Sequence, residues 1–150
     1  MNMALSDDEF KAIEKTWSLV ATDLQTHGIA FFTRFFNQHP ENKEFFPYVR
    51  DVDNEELHNS EAMNRQALNV MKAVNGLMGI LSDVNAVLDE LAVVAELHKG
   101  LGIPAELFKT FKIPFLETLE SGLGEEFTED AMNGYTKICD LVIETVISKY

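Results

Sequence analysis

LAVVAELHKGLGIP, residues 91–104, ends an apolar helical stripe with one histidine, His98. The aliphatic residues of this stripe recur every three or four positions, which is the period of one face of an α-helix. They are Val84, Val87, Leu88, Leu91, Val94 and Ala95. The imidazole of His98 is therefore predicted to point into an interior with them. Gly100, Gly102 and Pro104 are predicted to end the helix.

A buried imidazole needs a partner, which is either another protein group or a metal. Taken alone, the stripe favours the first interpretation, in which His98 is a core histidine paired within the protein. The second interpretation, a metal ligand, depends on what the rest of the chain places opposite His98. Both interpretations are open at this point.

The rest of the chain has the same helical period, and no alternation typical of a strand is sustained beyond a few residues. Ser6, followed by Glu9 three residues later, predicts a capped helix start. Further helices are predicted to begin near Asp23, Ser60, Asp83, Pro104 and Thr128, with short helices after Pro40 and near residues 55–58. The expected fold is all-α: a single domain over residues 1–150, with six long and one or two short helices crossing around one core.

The helix expected to start at Pro104 has a proline in its interior. Its apolar residues are Leu107, Phe108, Phe111, Phe115 and Leu119. Pro114 lies among them and cannot donate a hydrogen bond to the carbonyl four residues back. A kink is therefore expected at Pro114.

The long helix after Ser60 carries a second polar residue, Gln66, on its apolar face. That face consists of Met63, Ala67, Val70, Val74, Leu77 and Leu81. A buried amide needs hydrogen-bond partners, which are backbone groups if Gln66 is a core residue and a ligand if it lines a site. Gln66 precedes His98 by 32 residues and follows Phe46 by 20. If the two helices face each other across a gap, a flat apolar macrocycle with an axially ligated iron fits between an imidazole, an amide and aromatic rings.

With these residues in place, the sequence resembles a globin over nearly its whole length. The resemblance rests on the order and spacing of Trp17, His39, Pro40, Phe46, Gln66 and His98, and Ile103, Pro104 and Tyr150 also match. It implies the globin fold and bound haem b, iron protoporphyrin IX. It also implies that His98 is the iron ligand on the proximal side and that the Phe46 ring stacks on the haem.

For His98, the resemblance implies that one imidazole nitrogen binds the iron while the other donates a hydrogen bond to an acceptor that fixes the ring. Many globins place a hydroxyl one residue before this histidine, but here the residue is Leu97. The backbone carbonyl of Val94, one helical turn earlier, is therefore the predicted acceptor. Val94 and Phe108 are also expected to be walls of the haem cavity.

On the distal side, Gln66 stands where histidine is the commonest residue in the family. Its amide N–H can donate to the partly negative outer oxygen of bound dioxygen. It cannot exchange a proton near neutral pH, which argues against efficient peroxide chemistry. Phe32 occupies a position usually held by a smaller aliphatic residue, and with Val70 it is expected to crowd the ligand and limit the access of water. The candidate partners of the haem propionates are Tyr48, Arg65, Asn69 and Lys99.

The function expected from this resemblance is reversible binding of dioxygen for storage or transport inside a cell, without catalysis. Carbon monoxide and nitric oxide are expected as further ligands. One alternative is a globin that acts on nitric oxide, nitrite or sulfide and takes electrons from an outside reductant. Another is a haem-based sensor module that acts through a partner.

The charge and cysteine content limit the classes of partner. The chain has 25 acidic and 12 basic residues, for a net charge of −13, and such a surface repels phosphate backbones and anionic lipid. Nucleic acid and membranes are therefore not expected as partners. Cys139 is the single cysteine and is expected to be a small core residue. Residues 1–10 lack a basic segment followed by an apolar run, so a soluble cytoplasmic protein, monomeric or homodimeric, is expected.

Overall fold

The computed structural model describes residues 4–150, so the part of the N-terminal pattern at residues 1–3 lies outside the described residues. The long helices are α1 (Asp7–Val20), α2 (Leu24–Gln38), α3 (Glu61–Met78), α4 (Val84–Gly100), α5 (Lys112–Leu123) and α6 (Glu129–Ser148). Residues 4–150 contain no strand. The prediction of an all-α fold with six long helices is confirmed. None of the helices in this range combines the length and apolar character needed to cross a membrane.

Short 3-10 segments connect the long helices. Pro40–Phe45 and Asn54–Asn59 are the two short helices that the sequence predicts. The others are Ala21–Asp23, Ala105–Lys109 and Gly124–Glu126. Each of them turns the chain within a few residues, and the connection between α2 and α3, residues 39–60, contains two of them.

The starts of the helices are fixed by capping side chains. The Ser6 hydroxyl accepts a hydrogen bond from the Glu9 amide at 3.1 Å, and Glu9 Oε1 accepts one from the Ser6 amide at 2.9 Å. At the other predicted starts the cap side chain accepts one hydrogen bond, from the amide three residues later, and these caps are Asp23, Ser60, Asp83 and Thr128. Each such cap stabilises a helix by about 1 kcal/mol. The predicted starts of these five helices are therefore confirmed.

The segment from Pro104 to Leu123 differs from the prediction of one kinked helix. Ala105–Lys109 is a 3-10 segment, and α5 begins separately at Lys112. Pro114 is the third residue of α5 and is buried. The first amides of a helix have no partner within it, so a proline there removes no hydrogen bond. The prediction of a kink at Pro114 is therefore wrong: the chain starts a new helix around this residue.

The close crossing of α2 and α3 fixes one side of the molecule. A Cβ added to Gly28 would lie 2.8 Å from Met71 Cγ and 3.0 Å from the backbone oxygen of Ala67, so the helices approach at a point where only glycine fits. In the described chain, α2 packs on α3 and α5, whereas α4 packs on α6. Helices α3 and α4 have no substantial packing against each other. The two helices that carry Gln66 and His98 therefore stand apart, which is the condition under which a group could lie between them.

Four buried phenylalanines of α2 hold the corner that follows this helix. They are Phe31, Phe32, Phe35 and Phe36, each at most 8% exposed. Their rings pack on one another, with centroids 5.0 to 6.2 Å apart. Phe46, just after the 3-10 segment Pro40–Phe45, packs on the outer end of this cluster. Because the rings are large and apolar, the cluster fixes the position of the corner.

Candidate functional site

His98 lies in the last turn of α4 and is oriented by its own helix. The stripe ahead of it is buried at Val87, Leu91 and Ala95, but His98 itself is only half-buried, whereas the sequence predicts a fully interior side chain. The ring nitrogen Nδ1 lies 2.8 Å from the backbone oxygen of Val94. A carbonyl oxygen only accepts, so Nδ1–H is the donor, and in the neutral imidazole the lone pair is then on Nε2. The prediction that the Val94 carbonyl is the acceptor is confirmed.

A second contact restricts the imidazole from the side. The ring of Phe108, which is 8% exposed, packs on it edge to face, with a centroid distance of 5.1 Å and an interplanar angle of 77°. Leu97, the neighbour in sequence, is 59% exposed and points away from the core. The orientation of the imidazole therefore depends on Val94 and Phe108, and Nε2 has no partner among the described residues.

Gln66 lies on α3 and is half-buried. None of the described residues forms a hydrogen bond with its amide. A core amide would be bonded to backbone groups, because burying an unpaired amide costs about 1–3 kcal/mol. The interpretation of Gln66 as a core residue bonded to the backbone is therefore wrong. Its side chain can instead bond to water or to a ligand.

The rings of Phe32 and Phe46 are in contact, on the side of the candidate site that α2 and α3 form. Their ring centroids are 5.7 Å apart at an interplanar angle of 69°, and Phe46 makes a similar contact with Phe36 at 5.1 Å. Phe32 is 3% exposed, whereas Phe46 is half-buried. With a third edge-to-face contact, to Tyr48 at 6.3 Å, these contacts fix the plane of the Phe46 ring and leave the rest of its surface available to another group.

The predicted site residues fall into two groups. Phe32, Phe46, Gln66 and Val70 lie on the side of α2 and α3, and Val94, His98 and Phe108 lie on α4 and the segment after it. Several apolar residues on the inward faces of these elements are only half-buried: Phe46, Val70, Val74, Leu88, Val94, Leu107 and Phe111. Apolar side chains on a core-facing stripe are normally buried, so the space beside them is not filled by protein.

The donor set and the apolar lining fit a haem. His98 offers one ligand through Nε2, and a metal held by one imidazole must bring its other ligands, as a haem iron does with its macrocycle. The half-buried aliphatic and aromatic side chains suit the faces of such a ring. The four candidate partners of the propionates are all exposed, and none is hydrogen-bonded within the described chain: Tyr48, Arg65, Asn69 and Lys99.

Two surface clefts lie elsewhere and contain none of these site residues. One, of about 390 Å³, lies between the start of α1 and the turn before α4, and its lining includes Leu5, Phe10 and Leu81. The other, of about 210 Å³, is lined by Gln25, Thr26, Ile29, His58 and Asn64. His58 is thus placed on the surface. The candidate site is instead formed by the two groups of side chains described above. One group lies on the side of α2 and α3, and the other on α4 and the segment after it.

The sequence gives no indication of one buried polar contact near these walls. Asn42, 5% exposed, donates a hydrogen bond from Nδ2 to the Thr110 hydroxyl at 2.9 Å. An asparagine that follows Pro40 is typical of a turn, and its partner is 68 residues away. No local pattern links the two positions, so only the tertiary structure reveals the bond.

The chain is similar to known proteins in both sequence and fold. The family model named Globin matches residues 29–146. Cytoglobin-2 of Oryzias latipes is 30% identical over 148 residues, which cover 97% of this chain and 83% of that protein. An anaerobic nitrite reductase of Brassica napus is 24% identical over 131 residues, covering 85% and 81% of the two chains. The crystal structure of a hexacoordinated haem protein from an anhydrobiotic tardigrade has a TM-score of 0.90 at 20% identity, covers 98% and 96% of the two chains, and shows a shared fold.

Proposed function

Because the chain belongs to the globin family, we propose that it binds haem b through His98 and binds dioxygen reversibly, as a store or carrier inside a cell. The observation that carries this proposal is the state of the His98 imidazole. Its Nδ1–H is fixed by the Val94 carbonyl at 2.8 Å, while Nε2 is left without a protein partner beside half-buried apolar side chains. That is the arrangement in which an imidazole serves as a metal ligand.

Haem supplies an iron with an open coordination position at which dioxygen, carbon monoxide or nitric oxide binds. The residues of this chain then determine how tightly each ligand is held. Gln66 has free amide hydrogens, and in a pocket with little water an N–H stabilises a ligand whose outer atom carries partial negative charge. Dioxygen has this property to a greater extent than carbon monoxide, so Gln66 favours dioxygen.

Phe32, Phe46 and Val70 form the apolar part of the ligand side. Phe32 is nearly inaccessible and its ring supports that of Phe46. Rings at these positions exclude water, and water promotes the loss of an electron from ferrous haem. We therefore assign to Phe32 the protection of the ferrous state and to Phe46 the support of the haem plane.

No second protein side chain is expected to coordinate the iron. The tardigrade protein of similar fold is described as hexacoordinated. The distal residue of this chain is Gln66, and an amide is a far weaker ligand for iron than an imidazole. The ferrous protein without added ligand is therefore expected to be five-coordinate.

Absorption spectra of the purified, haem-loaded protein test the function. The ferrous protein is expected to give a five-coordinate spectrum, to convert to a stable dioxygen complex in air, and to return to the first spectrum when oxygen is removed. Failure to bind haem would contradict the whole proposal. Immediate oxidation to the ferric form in air, with haem bound, would contradict storage or transport of dioxygen alone.

Nitrite reduction is the second candidate, because relatives in Brassica napus and Arabidopsis thaliana are named anaerobic nitrite reductases. The reaction converts nitrite, one electron and two protons into nitric oxide and water. Gln66 supplies no proton, so this chemistry is expected to be slow. Nitric oxide release by the ferrous protein under anaerobic conditions measures it. If nitric oxide is released faster than dioxygen dissociates from the ferrous protein, and an added reductant sustains this release, the reductase is favoured over the carrier.

A further inference from the structure

Asn42 and Thr110 form a short hydrogen-bond chain beside the candidate haem site. Asn42 Nδ2 donates to the Thr110 hydroxyl at 2.9 Å, and that hydroxyl donates to the backbone oxygen of Leu107 at 2.6 Å. The Thr110 backbone amide donates to the same oxygen at 3.1 Å. A hydroxyl that both accepts and donates strengthens each of its bonds. These hydrogen bonds therefore close the turn over residues 107–110 and connect it to Asn42.

The two ends of this series of hydrogen bonds lie at opposite walls of the site. Asn42 belongs to the segment Pro40–Phe45, which is followed directly by Phe46 on the distal side. Phe108 lies inside the closed turn at the other end, and its ring packs on the His98 imidazole at 5.1 Å. In the described chain, no other side-chain hydrogen bond joins Pro40–Phe45 to Ala105–Lys109 or Thr110. The bond thus links the corner before Phe46 to the ring that restrains His98.

We propose that Asn42 is a positioning residue: through Thr110 it holds Phe108 against the His98 imidazole and so sets the rotation of that ring about its Cβ–Cγ bond. The Val94 carbonyl fixes Nδ1 from within α4, and the Phe108 ring fixes the imidazole plane from outside the helix. In so far as it concerns haem, this inference rests on the proposed function, because the ring rotation sets the geometry of the bond between iron and imidazole.

The test compares variants that remove this bond with one that removes a similar bond elsewhere. Asn42→Ala and Thr110→Val each break the chain, and Thr110→Ser keeps the hydroxyl. Thr16→Val is the matched control, because Thr16 is 1% exposed and its hydroxyl lies 2.8 Å from that of Tyr135, between α1 and α6. All variants except Thr110→Ser are expected to lower stability, so loss of stability alone does not support the proposal.

Two spectroscopic readouts separate positioning from stability. In the haem-free protein, NMR cross-relaxation between the Phe108 and His98 rings is expected to weaken severalfold in Asn42→Ala and Thr110→Val, and to stay at the wild-type level in Thr110→Ser and Thr16→Val. In the haem-loaded ferrous protein, the frequency of the iron–imidazole stretching vibration is expected to shift in the same two variants. The double variant is expected to match the single ones, since both changes break one chain.

Equal effects of Thr16→Val and Thr110→Val on these two readouts would overturn the proposal, as would unchanged readouts in Thr110→Val. Should Asn42→Ala not fold, the comparison of Thr110→Val with Thr110→Ser decides the matter. If the wild-type protein binds no haem, the proposed function fails, but the ring contact in the haem-free protein still tests the positioning role of Asn42.

Discussion

The Gln66 amide differs from other polar side chains near the core because it has no partner within the described chain. Thr16 and Asn42 are each hydrogen-bonded to another side chain, and removing such a bond costs stability. Removing the amide of Gln66 breaks no hydrogen bond within the described residues. A substitution at Gln66 therefore acts on a bound ligand with little effect on the folded state.

Gln66→Leu keeps the size of the side chain and removes its donor. We expect dioxygen to dissociate about tenfold faster, which corresponds to the loss of one hydrogen bond of ~1.4 kcal/mol. Carbon monoxide dissociation, measured by the same stopped-flow method, serves as the control and is expected to change much less. Equal changes for the two gases would show that Gln66 acts by steric effects and not by donating a hydrogen bond.

Phe32→Leu keeps the site apolar but removes the ring that packs on Phe46. The ferrous dioxygen complex is expected to oxidise severalfold faster, because water gains access to the ligand side. Phe35→Leu is the control, since Phe35 is a ring of the same helix, 2% exposed, whose aromatic contacts do not include Phe46. Oxidation rates followed by absorbance should separate the two variants. Identical rates would remove the protective role of Phe32.

At the scale of the helices, features that depend on residues close in sequence could be predicted, and features that depend on distant residues could not. Ser60, Asp83 and the other caps act within three residues of themselves, so their helices could be predicted from the sequence. The contact between His98 and Val94 is also local, spanning four residues. The separate start of α5 was missed, because proline disfavours a helix interior and favours a first turn in almost the same sequence context.

The close crossing of α2 and α3 predicts opposite effects for two glycine substitutions. Gly28→Ala is expected to destabilise the fold by ~1–3 kcal/mol, because the added methyl group meets the Ala67 backbone. Gly76→Ala, within α3, meets no atom within 4 Å and is expected to stabilise the helix by about 0.5–1 kcal/mol. Urea unfolding of both variants measures the difference. A destabilising effect of Gly76→Ala would contradict the open space beside Gly76 in α3. A neutral effect of Gly28→Ala would contradict the close crossing of α2 and α3.

The contact between α1 and α6 predicts a dependence of stability on pH. A hydrogen bond from Lys137 at 2.7 Å, followed by one from the Ser6 amide, lowers the pKa of Glu9 from its ordinary value of 4.5. A lowered folded-state pKa contributes stability above the ordinary value, and this is lost as the pH falls through the lowered pKa. Lys137→Met is therefore expected to lower the free energy of unfolding at pH 7 and to lose this effect in strong acid.

The control for this pH dependence is Lys15→Met. Lys15 pairs with Glu126 at 3.1 Å, but the side chains are 72% and 47% exposed, so solvent screens the pair. Urea unfolding between pH 2 and 7 should show little difference between Lys15→Met and the wild type. A Lys137→Met difference that is constant with pH would indicate lost packing and not the ionised Glu9.

For the whole molecule, helical periodicity predicted the long helices but not how far each side chain is buried. Gln66 and His98 are both half-buried, whereas the sequence predicts interior side chains, because periodicity does not report what fills the space beside a helix. Separation of α3 from α4 depends on which helices each of them packs against, and that is a property of the complete fold. The bond between Asn42 and Thr110 likewise appears only when distant segments come together.

Haem binding by His98→Gly tests the central claim most directly, because glycine removes the imidazole and leaves room for a free one. The wild-type protein is expected to bind haem without additives. The variant is expected to bind it weakly and to regain the wild-type ferrous spectrum when imidazole is added, while retaining the wild-type helical circular dichroism. Wild-type haem affinity and spectrum in His98→Gly without imidazole would contradict the assignment of His98 as the iron ligand.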